Sequence, residues 1–316
     1  MTKFFKLFTV FFLLSLIGFS QISKIHYIPP LTANDLQQGG GGSIPYDQHL
    51  YLSTPSTSDV TVKITILSTG QEITYTDLRN DNPKVYQLTA DNPNQEQALN
   101  GVLFVDKDGT GSNRLSSGLV IDADCPVYAS IRYNAGAQAG ALVSKGDASL
   151  GTHFRTGMMT NGNQSDENEF QNSTNSHNLN FISVMATQDN TTVRIDLPNA
   201  SSNLQIANYN YNGNPIVQTL NRNESMIIAA DARQPNNSGE NRFALIGALV
   251  RSIDDSGTVI VEDPTKPIVV NVGSASGTFM STEGGHDHGV DQIVGLDRVG
   301  HEYIFVKGNG AGGDLE

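Results

Sequence analysis

The sequence predicts an all-β protein built as two tandem, internally duplicated β-sandwich domains with long polar loops. Three observations predict it. Short runs of alternating apolar and polar residues recur between Asn, Asp, Gly and Pro clusters, the pattern of strands buried on one face and joined by turns. No long segment holds a 3.6-residue apolar period, so helices have no face to bury. Four blocks of the first half return in the same order in the second.

In chain order, Lys3 and Lys6 precede an apolar run from Leu7 to Ile17 that ends in Gly18-Phe19-Ser20. A charged start, an apolar core and small residues at the cut make residues 1–20 a signal peptide, cleaved before Gln21. The run is shorter than the roughly 18 to 20 residues that span a bilayer. Residues 21–48, with Pro29-Pro30 and the run Gly39 to Gly42, read as a flexible lead-in. The first repeat occupies 49–160. It opens at His49-Leu-Tyr-Leu-Ser53 and continues with Val60-Thr-Val-Lys-Ile-Thr-Ile66, whose apolar residues share one face. Further strand-like runs follow at 74–75, 84–88, 102–105, 119–121, 127–133 and 154–159, and one or two helical turns are expected over 94–100. Residues 161–180 are mostly Asn, Ser, Gln, Asp and Glu. They bury too little to offset the entropy of ordering them and read as a polar linker or long loop. The second repeat occupies 181–316.

The duplication is read block by block. Phe181 to Ala186 and Thr191 to Leu197 match the hairpin that begins at Tyr51, with Val193-Arg-Ile195 where Val62-Lys-Ile64 stood. Gln218-Thr-Leu220 and Ser225 to Ala229 together answer Val85 to Leu88. Ser256 to Ser274 echoes Ser117 to Tyr133: Ser-Gly, Val-Ile, an Asp, a Pro, then alternating apolar residues. Val299-Gly-His-Glu-Tyr303 answers Leu150-Gly-Thr-His-Phe154, and the blocks lie about 130 to 150 residues apart. Each copy can close a core of its own. Both echoing stretches read as hairpins, turned at Cys125-Pro126 and at Asp263-Pro264.

Thirty-two acidic against nineteen basic residues give a net charge of −13, which argues against nucleic acid and anionic membrane surfaces as partners. The single cysteine, Cys125, has no internal disulfide partner. It is expected to be a small buried or half-buried apolar group in its turn.

Little in the chain points to chemistry. Glu283-Gly-Gly-His-Asp-His-Gly-Val-Asp291 is the most polar cluster, and His286, His288, Asp287 and Asp291 are candidate Zn or Ni ligands. Their spacing matches no strong metal motif, and a polar loop held by Asp and His hydrogen bonds is the favoured reading. Asp106-Lys-Asp-Gly-Thr-Gly-Ser112 has alternate oxygen-bearing side chains but departs from Ca²⁺-loop spacing, so an Asp-Gly hairpin turn is expected. Gly273-Ser-Ala-Ser-Gly277 lacks the helix a nucleophile elbow needs. The adjacent carboxylates Asp254 and Asp255 suit a turn. The absence of tryptophan removes the usual sugar platform. No catalytic residue and no cofactor is expected.

The ordered set Phe181 to Ile195, Ser256 to Ile260, Lys266 to Val270, Asp287 to Gln292 and Gly300-His-Glu-Tyr303 resembles the IgGFc-binding protein N-terminal domain, over about residues 50 to 310. The resemblance implies an exported protein of the kind found in Bacteroidota, where such proteins are large and carry a C-terminal sorting domain for type IX secretion or gliding-associated display. It therefore implies that a chain ending at Glu316 is a fragment of a longer protein. It transfers no functional residue. The expectation is a secreted or surface-displayed, non-catalytic adhesion or interaction module that binds an extracellular protein or glycan through polar loops. The alternatives are a carbohydrate-binding accessory module or carbohydrate-active enzyme, and a plain spacer. Residues 283–291 are the first place to look for a ligand.

Overall fold

A computed structural model of the chain describes residues 21–32, 45–89, 102–135, 138–158, 179–198, 200, 204–231, 243–254, 261–278 and 286–300. The signal segment, the helical turns expected over 94–100 and nearly all of the 161–180 linker fall outside them. The first repeat contains β1 (Ser23–Ile28), β2 (Leu31–Thr32), β3 (Tyr46–Ser53), β4 (Val60–Ile66), β5 (Gln71–Leu78), β6 (Lys84–Gln87), β7 (Phe104–Val105), β8 (Leu119–Ala135) and β9 (Gln138–Val143). The second contains β10 (His153–Arg155), β11 (Leu179–Ala186), β12 (Thr191–Asp196), β13 (Ile216–Leu220), β14 (Ser225–Asp231), β15 (Leu249–Asp254), β16 (Val261–Glu262), β17 (Ile268–Thr278) and β18 (His286–Ile293).

The two repeats share one antiparallel strand order. In the first, the beginning of β8 lies between β4 and β1 and gives the layer β5-β4-β8-β1. The end of β8 lies between β3 and β9 and gives β6-β3-β8-β9. In the second, the layers are β13-β12-β15-β10, with β16 beside β10 on the edge of β15, and β14-β11-β17-β18. Duplication is thus written in the pairing as well as in the sequence. In β4 and β12 the expected alternation holds: Val60, Val62, Ile64 and Ile66, then Val193 and Ile195, all face their own cores. Burial of each such side chain contributes about 1.5–3 kcal/mol.

Several expectations are corrected. The lead-in 21–48 is not wholly loose, since β1 and β2 form from its described part and β1 pairs with β8. The echo at Ser117 to Tyr133 is no hairpin: β8 runs unbroken for 17 residues and passes from one layer into the other. Residues 124 and 125 lie past the last β4 partner and before the first β3 partner, so Pro126 costs no ladder hydrogen bond there. Cys125 is exposed at this crossing. The later echo behaves alike, with β16 and β17 in different layers and a turn at 263–267 between them. The repeat boundary also moves. β10, counted with 49–160, pairs with β15 and so opens the second repeat as β1 opens the first. Finally, 107–109 form a 3₁₀ turn rather than an Asp-Gly hairpin.

Sheet β14-β11-β17-β18 is covered on both sides, and all eight residues of β11 are buried. Ile182, Val184, Val270 and Val272 face the core of the second repeat. On the opposite side, Phe181, Ile227 and Ala229 join the core of the first repeat, while Met185 and Val269 pack on Tyr27. The segment 102–118 caps this side by backbone pairing: Leu115 and Ser225 exchange N–H···O bonds at 2.8 Å, and Gly111 N–H donates to the Ile227 carbonyl, also at 2.8 Å. Gly111 has φ of +80°, and a Cβ there would sit 2.3 Å from the Asn208 carbonyl oxygen, so no other residue fits this approach.

A buried polar clasp runs through the same seam. Gln292, fully buried, accepts from Lys145 N–H at 2.7 Å and Ser144 Oγ at 3.1 Å, and donates to the Tyr27 carbonyl at 2.9 Å and Asn271 Oδ1 at 3.2 Å. Asn271 Nδ2 donates to the Pro29 carbonyl at 2.9 Å. Ser144 Oγ also meets His26 Nδ1 at 3.0 Å. His26 Nε2 faces two carbonyls, Val127 at 2.9 Å and Ser23 at 3.2 Å, and so carries the proton. Far from the seam, Arg194 and Arg251 stand opposite each other on β12 and β15 and both bind Asp196. Burial alone would push the Asp196 carboxyl up, but the hydrogen bonds and charges of the two arginines outweigh it and hold the group low.

Two outcomes follow from the clasp. Gln292→Leu leaves Lys145 N–H, the Tyr27 carbonyl and one Asn271 oxygen unsatisfied in the seam, and should cost about 3 kcal/mol in urea unfolding; a loss under about 1 kcal/mol would contradict the role given to this residue. For His26, burial pushes the ring pKa down against the opposing pull of the two carbonyls and Asp147. A depressed value means that the stability from the neutral ring is complete above the unfolded value of about 6.5 and is lost as pH falls below it. Calorimetry between pH 7 and pH 5 should show the thermal midpoint falling, with that part of the slope missing in His26→Gln.

Candidate functional site

Layer β6-β3-β8-β9 leaves its outer face uncovered, and strand pairing arranges that face in rows. Val85, Tyr51, Ser130 and Val143 stand side by side across the four strands, and Gln87, His49, Arg132 and Ala141 form the next row. Side chains directly opposite on neighbouring strands lie within contact range. The Arg132 guanidinium rests 5.2 Å from the centre of the Tyr51 ring, and among the described residues no carboxylate pairs with it. Such a stacked cation is held in place and keeps its donors for another group.

At the end of these rows β3 carries a bulge between Tyr46 and His49, where Asp47 takes a φ of +51°. A bulge re-aims a side chain that regular alternation would fix elsewhere, and the Asp47 carboxylate meets two neighbours. Asn134 Nδ2 donates to Oδ2 at 2.6 Å. His49 Nδ1 lies 3.2 Å from Oδ1 and 3.0 Å from the Asp47 carbonyl oxygen. With only oxygens facing it, Nδ1 bears the hydrogen, which makes Nε2 the ring nitrogen left for a ligand. These groups line an open cleft of about 700 Å³ whose far wall is β18 at His288 to Val290.

The back of the cleft depends on one glycine. Tyr133, almost fully buried, lies across Gly140, where a Cβ would fall 2.2 Å from the ring. The ring packs edge-on against Phe104 at 4.7 Å and His288 at 5.4 Å, which joins the cleft wall to the inter-repeat seam. The cleft therefore has a rigid, aromatic floor and a polar rim. It can hold an acidic or hydroxylated group between the Arg132 fork and the Asp47, His49 and Asn134 set.

Residues 286–291, read from sequence as a polar loop, lie in strand β18 and pair with β17. His288 is buried and faces the first repeat, as Val290 and Gln292 do. Asp291 points from the other face, and both its carboxylate oxygens accept from Lys145 Nζ at 3.0 Å. The structure thus separates His288 from Asp291. The side chains of His286 and Asp287 lie outside the described set. Among the described residues no group of three or more His, Cys, Asp or Glu side chains is placed to hold a metal ion. Gly273 and Ser274 are interior to β17, and Asp254 ends β15. His49, Tyr51, Arg132 and Asn134 carry no motif. Their only signal in the sequence is an aromatic ring and a cation on the outward side of alternating strands.

No helix among the described residues is long and apolar enough to cross a membrane. No curated protein and no solved structure matches the chain. The family model described as IgGFc binding protein matches residues 139–315, which begins at β9 and takes in the whole second repeat together with the wall of the cleft. That is more than half of the sequence, and the chain belongs to the IgGFc-binding protein family.

Proposed function

We propose that the chain is a non-catalytic extracellular adhesion or interaction module, and that it takes a protein or glycan ligand on the outer face of β6-β3-β8-β9. The observation that carries this reading is Arg132, stacked on Tyr51 with no carboxylate partner among the described residues, beside a bulged Asp47 that pre-orients His49 and Asn134. A guanidinium fork binds carboxylate or sulfate in bidentate fashion. The exposed Tyr51 ring offers a stacking face, and Asn134 and Asp47 are planar groups suited to hydroxyls. The same set supports a glycan as the ligand, so a carbohydrate-binding accessory role is the second reading. Family membership supports an extracellular setting and a binding role.

The test is to immobilise the chain and probe it with an array of sialylated, uronate, sulfated and neutral glycans, and with the Fc fragment named in the family description. Arg132→Ala and Tyr51→Ala should each weaken the binding seen by about tenfold or more without moving the thermal midpoint, while Val217→Ala on the other layer leaves it unchanged. Binding that survives both cleft substitutions would overturn the assignment. Turnover of an arrayed glycan would overturn the non-catalytic reading.

A further inference from the structure

The outer face of layer β13-β12-β15-β10 carries a charged cluster that shares no residue with the cleft. Pairing register sets Val217, Arg194, Arg251 and His153 side by side across its four strands. Two positions along the strands, Asp196, Leu249 and Arg155 form the next row. Two arginines directly opposite each other on neighbouring strands repel. Asp196 holds them together: Arg194 Nη2 donates to Oδ1 at 2.7 Å and Arg251 Nη2 to Oδ2 at 2.6 Å.

The first repeat shows that the scaffold does not require this arrangement. Register aligns the two copies residue by residue. Arg194, Asp196 and Arg251 stand where Lys63, Thr65 and Asp122 stand, and His153 and Arg155 stand where Ile25 and Tyr27 stand. The first repeat therefore sets opposite charges, Lys63 and Asp122, across the same two strands. Its Tyr27 packs with Met185 and Val269 in the seam, with Ile25 beside them. The second repeat exchanges the favourable pair for two arginines, and the two seam residues for a histidine and a third arginine. Natural sequences break a local rule of this kind chiefly at functional sites.

The protein does not use up these cations. Across the face three arginines meet two carboxylates, Asp196 and Glu262, the second of which pairs with His153 Nδ1 at 2.9 Å. This is a local excess of positive charge on a chain whose net charge is −13. Among the described residues, Nη1 has no acceptor on either Arg194 or Arg251, and neither has Arg251 Nε, which is shut off from solvent. Because both arginines grip one carboxylate, their planar forks are held close together, which suits bidentate recognition of a second oxyanion. In the row on the other side, Thr192 and Thr219 place their hydroxyl oxygens 3.1 Å apart.

We propose that this face is a second binding site, in which Arg194 and Arg251, with Arg155 beside them, take the sulfate or carboxylate group of an acidic saccharide. The forks supply the charge and the planar donors, and the threonine hydroxyls supply partners for the hydroxyls of the sugar. The surrounding acidic surface repels anions, so an acidic sugar is drawn to this spot and not spread over the chain.

The test is isothermal titration of the chain carrying Arg132→Ala, which silences the cleft, with a sulfated disaccharide, a uronate disaccharide, their neutral parent and a Glu-rich peptide. One or both acidic sugars should bind at least about tenfold more tightly than the neutral sugar and the peptide, and binding should weaken as salt rises from about 0.05 to 0.5 M. Adding Arg194→Lys, Asp196→Thr and Arg251→Asp copies the first repeat's own residues onto the second. The sheet should keep its fold by circular dichroism while the affinity falls about tenfold or more. Val217→Glu, an exposed change opposite Arg194, leaves the arginine network intact and should also weaken binding, so it serves if the triple variant fails to fold. No binding of either acidic sugar up to about 1 mM, tighter binding of the peptide, or an affinity unmoved by Val217→Glu or by a folded triple variant would each overturn the proposal. Acidic sugars that bind the unaltered chain but not the Arg132→Ala chain belong to the cleft, and then only the second site falls.

Discussion

The structure turns on a sheet with no solvent face. Layer β14-β11-β17-β18 has its own sandwich core on one side and the first repeat on the other, so the second repeat cannot present a finished surface until the first is in place. Apolar packing alone would let such a seam slide. The clasp of Gln292, Asn271, Ser144 and His26 fixes it, because each donor finds its acceptor in a single register and a shifted register would strand polar groups in an apolar seam.

The cleft inherits its order from that seam. Tyr133 touches Phe104 on one side and His288 on the other, so the floor beneath the polar rim is tied to both repeats. The rim itself rests on a local irregularity, the bulge that turns Asp47 toward Asn134 and His49. Over its described pairs the corresponding strand β11 shows no register shift, so among the described residues this device belongs to the first repeat alone. The proposed recognition surface thus lies where one copy of a repeated scaffold departs from the shared fold.

Much of the architecture was legible in the sequence, and the failures have one cause. Alternation identified β4 and β12 and the face each buries, because period-two burial is a local property. The echo between Ser117 and Tyr133 and its later copy was a true duplication, yet it was misread as a hairpin. Apolar alternation is the same for two paired strands as for one strand that changes partners, and the partners are not local. The same holds for β10, which the sequence assigned to the repeat before it, and for β18, whose Gly and His composition resembles a loop until β17 pairs with it. In the site, His49, Tyr51 and Arg132 are ordinary strand residues when read singly. They become a constellation only when register sets them in adjacent rows.

The unbroken course of β8 bears on how the chain acquires its shape. This one strand closes both layers of the first repeat, so that repeat has every strand of its two layers once residue 143 has emerged, before any part of the second exists. A chain delivered N-terminus first can therefore assemble a solid template early. The later sheet then forms against a surface already fixed, and its hydrophobic outer side need never wait in water, where an open apolar sheet invites aggregation.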